Sequence, residues 1–167
     1  MSINEKAITA LEFDKIREML ASCAPTAGAS ALARSLCPYV HAEQILRAQK
    51  KTTDARRLLE AKGMPPFGMV VDINPICERA QKGATLTPRE LIDSAQLLRS
   101  ARSLLEYIRT NKTFDSSLDE IFERLMPNRA VEDRILRSVI SEDTISDEAS
   151  HALSDVRRKM QIGRAHV

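Results

Sequence analysis

Two groups of side chains in this sequence are of a type that could do chemistry. Glu142, Asp143, Asp147 and Glu148 put four carboxylates close together in the chain, and carboxylate oxygens are what a hard divalent cation takes. The spacing and the glycine of an EF-hand are missing. An acidic turn leading into a helix start accounts for the same residues, because the helix dipole favours negative charge there. The second group is basic: Arg56 and Arg57, then Arg99, Arg102 and Arg109. Guanidinium groups can grip phosphate. No aromatic residues interleave with these five, so the expectation is a solvated helix face. His41 and His151 stand alone, and no third group orients a Cys–His pair built from Cys23, Cys37 or Cys77. The glycines at 28, 63, 68, 83 and 163 form neither GxxxxGK[ST] nor GxGxxG, and there is no HExxH and no zinc-spaced Cys/His cluster. The expected catalytic, cofactor-binding and metal-ligating residues are therefore none.

The elements that must position these groups are helices. The 167 residues suffice for one domain with a core, and 43% hydrophobic with 29% charged residues is ordinary for a globular protein. Aromatics make up only 4% and Trp is absent, so the core must be Leu, Ile, Ala and Met, which suits helix packing. A formal net charge of +2 leaves no strong footprint for nucleic acid in the total. An odd number of cysteines without a CxxC pair points to a reducing compartment. No signal peptide or membrane-spanning run is read, so the expected location is the cytoplasm.

The longest segment that cannot be helix is 63–75, Gly-Met-Pro-Pro-Phe-Gly-Met-Val-Val-Asp-Ile-Asn-Pro. Three prolines and two glycines remove donors, fix φ and open positive φ. The apolar run Met69-Val70-Val71 predicts a crossover that is extended and packed down between two helical halves. Before it, Asn4 is expected to cap a short helix from Glu5 to about Ala10. A second helix carries Phe13, Ile16, Met19 and Leu20 on one face. Thr26 caps a third with Leu32 and Leu36, which must end before Pro38. A fourth helix is expected over 42–62, with Ile45, Ala48, Thr52, Ala55 and Leu59 as its stripe and Gly63 as a left-handed stop. After the crossover, Asn74 is expected to cap a short helix that stops at Gly83. Thr87-Pro88-Arg89-Glu90 reads as a capping box opening a long helix to about Arg109, with Leu91, Ala95, Leu98, Ala101, Leu105 and Ile108 as its stripe. Ser116 or Ser117 is expected to cap a helix through Leu125. Another helix runs from Val131 to Val139, with Val131, Ile135 and Ser138 on one side. A tiny β-hairpin is expected over 139–146, and Asp147 as the cap of a last helix. In that helix Ala149, Leu153, Val156 and Met160 are spaced four, three and four apart, as in a coiled-coil seam. Ile162-Gly163-Arg164-Ala165-His166-Val167 departs from the helical pattern and is expected to be a non-native tail.

Several short pieces, in this order and spacing, resemble one family. They are Leu11-Glu12-Phe13-Asp14-Lys15-Ile16, Thr53-Asp54-Ala55, Pro66-Phe67-Gly68 with Asp72-Ile73, Arg79-Ala80 with Gly83 and Leu86, and Ile140-Ser141-Glu142-Asp143 followed by Asp147-Glu148-Ala149-Ser150 and Leu153. Over 1–161 the chain is similar to the N-terminal part of the second type of bacterial MutS, the Smr-bearing MutS type two proteins. The resemblance implies a mainly α, multi-helix core and lever region, with 1–146 as helical core and 147–161 as the start of a lever or clamp helix. It implies a whole protein with a dimerising ABC-type ATPase domain that uses ATP and Mg, often with an Smr endonuclease domain. It also implies binding to branched DNA, which limits recombination, or to collided ribosomes, which are split. The residues for ATP hydrolysis and cleavage would lie downstream, so none is carried onto this sequence. This region would transmit ATPase state to the nucleic-acid clamp. The alternatives are a free-standing helical interaction module and a small helical enzyme with a site that has no recognised motif.

Overall fold

The computed structural model describes residues 5–112 and 114–164. The chain forms two compact units. One runs to Gly63 and takes in Phe114–Leu118; the other holds the chain from Met64 and again from Asp119. The division falls at the first residue of the Pro/Gly stretch. Among the described residues the architecture is helical, with one small two-stranded antiparallel sheet. No helix among them is long and apolar enough to cross a membrane.

The first unit contains α1 (Glu5–Ala10), α2 (Phe13–Ser22), α3 (Ala27–Arg34) and α4 (Ala42–Lys62). Asn4, the expected first cap, lies outside the described residues. Glu12 turns the chain between α1 and α2 with a left-handed backbone, φ 53°. Thr26 caps α3 as expected, its Oγ1 accepting from the Ala29 N–H at 3.1 Å. The short side chains of Ala21 and Ala33 are buried where α2 packs on α3, and Arg34 bridges back to Glu18 at 3.0 Å. The apolar face expected on α2 is not covered: Ile16 is 54% and Met19 69% exposed. The boundaries of α4 are those read from the sequence, and Ile45, Ala48 and Ala55 of its expected stripe are half-buried. Asp54 and Leu58 are buried, while Thr52 and Leu59 are exposed. Gly63 ends α4 with φ 73° and ψ −167°. That is an extended, glycine-only conformation rather than the left-handed helical one expected.

The second unit is built on α6 (Pro88–Arg109), against which α7 (Asp119–Glu123), α8 (Arg129–Ser138) and the strand β1 (Val139–Ser141) pack. Ala95, Leu104, Ile108 and Val139 are its buried apolar residues. The capping box at its start is complete: Thr87 Oγ1 accepts from the Glu90 N–H, and Glu90 Oε2 accepts from the Thr87 N–H at 2.8 Å. Ahead of α6, residues 64–73 form neither helix nor strand. Pro65, Phe67, Val71 and Ile73 are half-buried while Met69 and Val70 of the apolar run are exposed. The helix α5 (Asn74–Gln81) starts at Asn74 itself rather than being capped by it, and Asp72 Oδ1 accepts from the Asn74 N–H at 3.0 Å.

Asn128, where the sequence predicted a break, is also a cap, its Oδ1 accepting from the Val131 N–H at 3.1 Å. On α8 the inward residue is Glu132, and Val131 is exposed. The hairpin is present: β1 pairs antiparallel with β2 (Thr144–Ile145), Val139 opposite Ile145. Asp147 does not cap the last helix. Ser146 caps a 3₁₀ turn (Asp147–Ala149) through the Glu148 N–H, and Ser150 Oγ accepts from the Leu153 N–H of α9 (His151–Arg164). The backbone of α9 continues through Ile162, Gly163 and Arg164, where the sequence pattern predicted a stop. The rest of the expected tail lies outside the described residues.

Candidate functional site

Of the three arginines expected on a solvated face of α6, Arg109 is exposed, but Arg99 and Arg102 are tied to a buried acid. Arg99 Nε donates to Glu132 Oε1 at 3.2 Å, and Arg102 donates to both oxygens of the same carboxylate, at 2.9 and 3.2 Å. Glu132 sits at the first turn of α8 and is only 1% exposed. The Arg102 guanidinium, against the cost of burial and helped by Arg99, holds the carboxyl below its usual range. Arg102 also lines a cavity of about 360 Å³ together with Leu105, Glu106, Arg109 and Thr110. Glu106 and Asp133 lie close enough to act on Arg102 by charge, and the Arg102 guanidinium is already committed to Glu132.

A second buried carboxylate organises the first unit. Asp54 Oδ2 accepts from the Ser117 N–H at 2.8 Å and from its Oγ–H at 2.7 Å, with Lys50 Nζ at 3.4 Å. Ser117 is thus no helix cap: it fastens the short Phe114–Leu118 segment to α4. It is Ser116 that takes a local amide, that of Leu118, at 3.1 Å. Arg57 lies over the Phe114 ring at 4.1 Å, a cation–π contact beside the same carboxylate. Arg56 pairs along the helix with Glu60. The backbone and hydroxyl bonds from Ser117 hold the Asp54 pKa at about 2.

The third tie joins α5 to α6. Arg79 grips Glu90 with both terminal nitrogens, at 2.6 Å to Oε1 and at 3.1 Å to Oε2, the oxygen that also accepts from the Thr87 N–H. Arg79, with the Thr87 amide behind it, brings Glu90 to about 2. A carboxylate held ionised near neutral pH accepts hydrogen bonds and cannot act as a general acid there. These three groups position helices.

The acidic residues near the hairpin are dispersed in the same way. Glu142 pairs with Arg89 and Asp147 with Arg157, while Asp143 and Glu148 point to solvent. Among the described residues no three His, Cys, Asp or Glu side chains are grouped to hold a metal. Cys23, Cys37, Cys77, His41 and His151 are all exposed.

Acid should release two of these ties together. Asp54 and Glu90 have folded values near 2, against 3.8 and 4.5 when unperturbed. Depressed carboxylates contribute stability that is fully present above their unfolded values and lost as pH falls through the folded ones. The urea midpoint is therefore expected to hold down to about pH 5 and to drop steeply between about pH 4.5 and 2. In Glu90→Gln it should start lower at neutral pH and fall less over that window; a slope equal to wild type would show that the Arg79–Glu90 tie carries no linkage.

No family model matches the chain. Curated relatives do. The endonuclease MutS2 of Acetivibrio thermocellus is 38% identical over 164 residues, 95% of this chain and 20% of the relative. That of Clostridium beijerinckii is 35% identical over 161 residues, 95% of this chain and 20% of the relative. That of Clostridium acetobutylicum is 32% identical over 167 residues, 99% of this chain and 21% of the relative. The chain is homologous to the N-terminal fifth of the MutS2 endonucleases. It spans about a fifth of the length of these relatives. Several residues that carry the MutS2 resemblance turn out to be fastenings: Asp54 in Thr53-Asp54-Ala55, Asp72, Arg79 and Glu142. Sequence reasoning took Ser117 and Glu90 for local caps only and passed over Glu132, the partner of Arg99 and Arg102.

Proposed function

We propose that this chain is the N-terminal helical scaffold of a MutS2-type endonuclease. In the whole cytoplasmic protein it links a dimeric, ATP- and Mg-using ATPase domain to a clamp for branched DNA or a collided ribosome. The observation that carries this reading is identity of up to 38% along almost the entire chain. The geometry supports it, because the carboxylates that leave their ordinary range, Asp54, Glu90 and Glu132, are tied between elements of the fold, as a force-bearing scaffold requires. The cations are tied too: Arg57, Arg79, Arg89, Arg99, Arg102 and Arg157 all have acidic partners.

A chimera tests the proposal. The first 164 residues of the Acetivibrio thermocellus relative are replaced by residues 1–164 of this chain. The chimera is expected to retain endonuclease activity, ATP turnover and binding to a four-way junction or to ribosomes, with those two targets assayed in parallel. A folded, dimeric chimera that lost ATP turnover and both bindings would overturn the reading. The exposed apolar side chains of α2 and α3 favour a second reading, a free-standing interaction module, and a dead chimera would favour that instead. The isolated chain is expected to bind either nucleic acid weakly. Few counterions would be released by a chain of net charge +2 whose arginines are largely paired. A steep salt dependence in a shift assay would contradict this.

A further inference from the structure

Among the described residues no helix packs on α4 as closely as α2 does on α3 or α6 does on α8. Yet α4 buries two side chains one turn apart on one face, Asp54 and Leu58, at 3% and 5% exposed. The partner of Asp54 comes from far along the chain. Phe114–Leu118 belongs with the first unit, although the residues on both sides of it belong to the second. The segment forms neither helix nor strand, so no ladder of its own holds it. Asp54 takes both the N–H and the hydroxyl of Ser117, and the Arg57 guanidinium covers the Phe114 ring. Ser116 is buried, and Phe114 and Leu118 are half-buried. The neck of the segment is closed by an ion pair, Lys112 Nζ standing 2.8 Å from Asp119 Oδ2. Lys112 follows α6, and Asp119 is the first residue of α7.

We propose that Phe114–Leu118 is a strap, and that the strap and the middle of α4 open and close as one event. A helix in a protein owes most of its stability to the cover on its buried face. With the strap in place that cover is Ser117 and Phe114; with the strap released, α4 is left to its own propensity. The dependence runs the other way as well. Asp54 and Arg57 stand three residues apart, so only a helical turn presents the acid and the cation side by side to Ser117 and Phe114. Unwinding α4 at that turn removes both anchors of the strap at once. The neck confines the event: with Lys112 and Asp119 paired, the strap can leave as a closed loop while α6 and α7 stay formed. Whatever pulls on the connection between α6 and α7 therefore reaches α4. The proposal rests on these contacts alone and does not depend on the scaffold role proposed above.

Amide hydrogen exchange, followed residue by residue on the full chain, tests this from each side, because coupling between two openings is reciprocal. Ser117→Ala weakens the strap by removing its hydroxyl bond to Asp54. Exchange at Leu118 in the strap and at Leu58 in α4 is expected to quicken by the same factor, at least threefold. Arg56→Gly weakens α4 from its exposed face, where Arg56 pairs along the helix with Glu60 and glycine is a poor helix former. It should again quicken both amides alike. The Leu104 amide of α6 should keep its wild-type rate in both variants. A rise at Leu118 without one at Leu58 in Ser117→Ala, or the reverse in Arg56→Gly, would overturn the strap. So would wild-type rates at both amides in Ser117→Ala. An equal rise at Leu104 would overturn it too, since the whole chain would then be opening.

Discussion

Stranding Glu132 without its arginines is expected to cost about 3–5 kcal/mol of folding stability at neutral pH. The variant is the double replacement Arg99→Ala, Arg102→Ala. A carboxylate 1% exposed would lose all three of its charged hydrogen bonds and have no water to replace them. Against a total of about 5–15 kcal/mol for a domain, that is a large fraction. Removing the carboxylate instead, as Glu132→Ala, should be milder, because the two arginines are 59% and 30% exposed and can be hydrated where they stand. The order of the two variants is therefore the signature. A pH series gives a second signature. In the wild type the Glu132 pKa lies below its ordinary value, so its contribution is lost as pH falls through the folded value. In the double arginine variant burial acts alone and pushes the carboxyl up. The penalty should then be greatest above the raised value and shrink below the ordinary carboxylate range, where the group is protonated in both states. Urea unfolding at pH 7 and pH 4 reads both effects, with Arg134→Ala as an exposed control on α8. A double variant as stable as Glu132→Ala at pH 7 would mean that Glu132 is not sealed from water.

The helices were legible because local chemistry marks their ends. Thr26 and the Thr87–Glu90 box are side-chain caps, and Pro25, Pro38 and Pro127 remove donors, so these boundaries follow from residues within one turn of each other. The hairpin was legible for the same reason. The ties between elements were not. Arg99 and Arg102 are 33 and 30 positions from Glu132, and Ser117 is further still from Asp54, at 63. No local pattern distinguishes an arginine that will clamp a buried acid from one that will face water. Caps fail in a related way. Ser117 and Asp147 both sit where a cap belongs, yet each is taken by a longer-range partner, Asp54 in one case and Arg157 in the other. The stripes on α4 and α8 hold at Ile45, Ala48, Ala55, Ile135 and Ser138 but omit Asp54 and Glu132, the acids that the fold turns inward. The family resemblance added what periodicity lacked: its short motifs mark Asp54, Asp72, Arg79 and Glu142, although nothing in them names the partner across the fold.

Gly68→Ala is expected to lose about 2–6 kcal/mol, from backbone strain of about 1–3 kcal/mol and overpacking of about 1–3 kcal/mol. Gly68 has φ 60°, where an L side chain is strained whatever the space around it. Space is also lacking: a Cβ at that position would stand 2.6 Å from Ser100 Oγ, far inside contact distance. Ser100 is buried on α6, so its hydroxyl has little room to withdraw. The same Cβ would meet Ser100 Cβ at 3.6 Å, which is ordinary contact. Deleting only the hydroxyl should therefore relieve the clash and leave the strain. A double-mutant cycle separates the two. Gly68→Ala in a Ser100→Ala background should cost about 1–3 kcal/mol less than in the wild type, a coupling that residues in contact show and distant ones do not. The cycle is read from urea midpoints of the four proteins. If the two substitutions were additive, α6 would not be held against the crossover at this point. If Gly68→Ala unfolded with the wild-type midpoint, the 64–73 segment would not be fixed in the conformation that brings Gly68 onto Ser100.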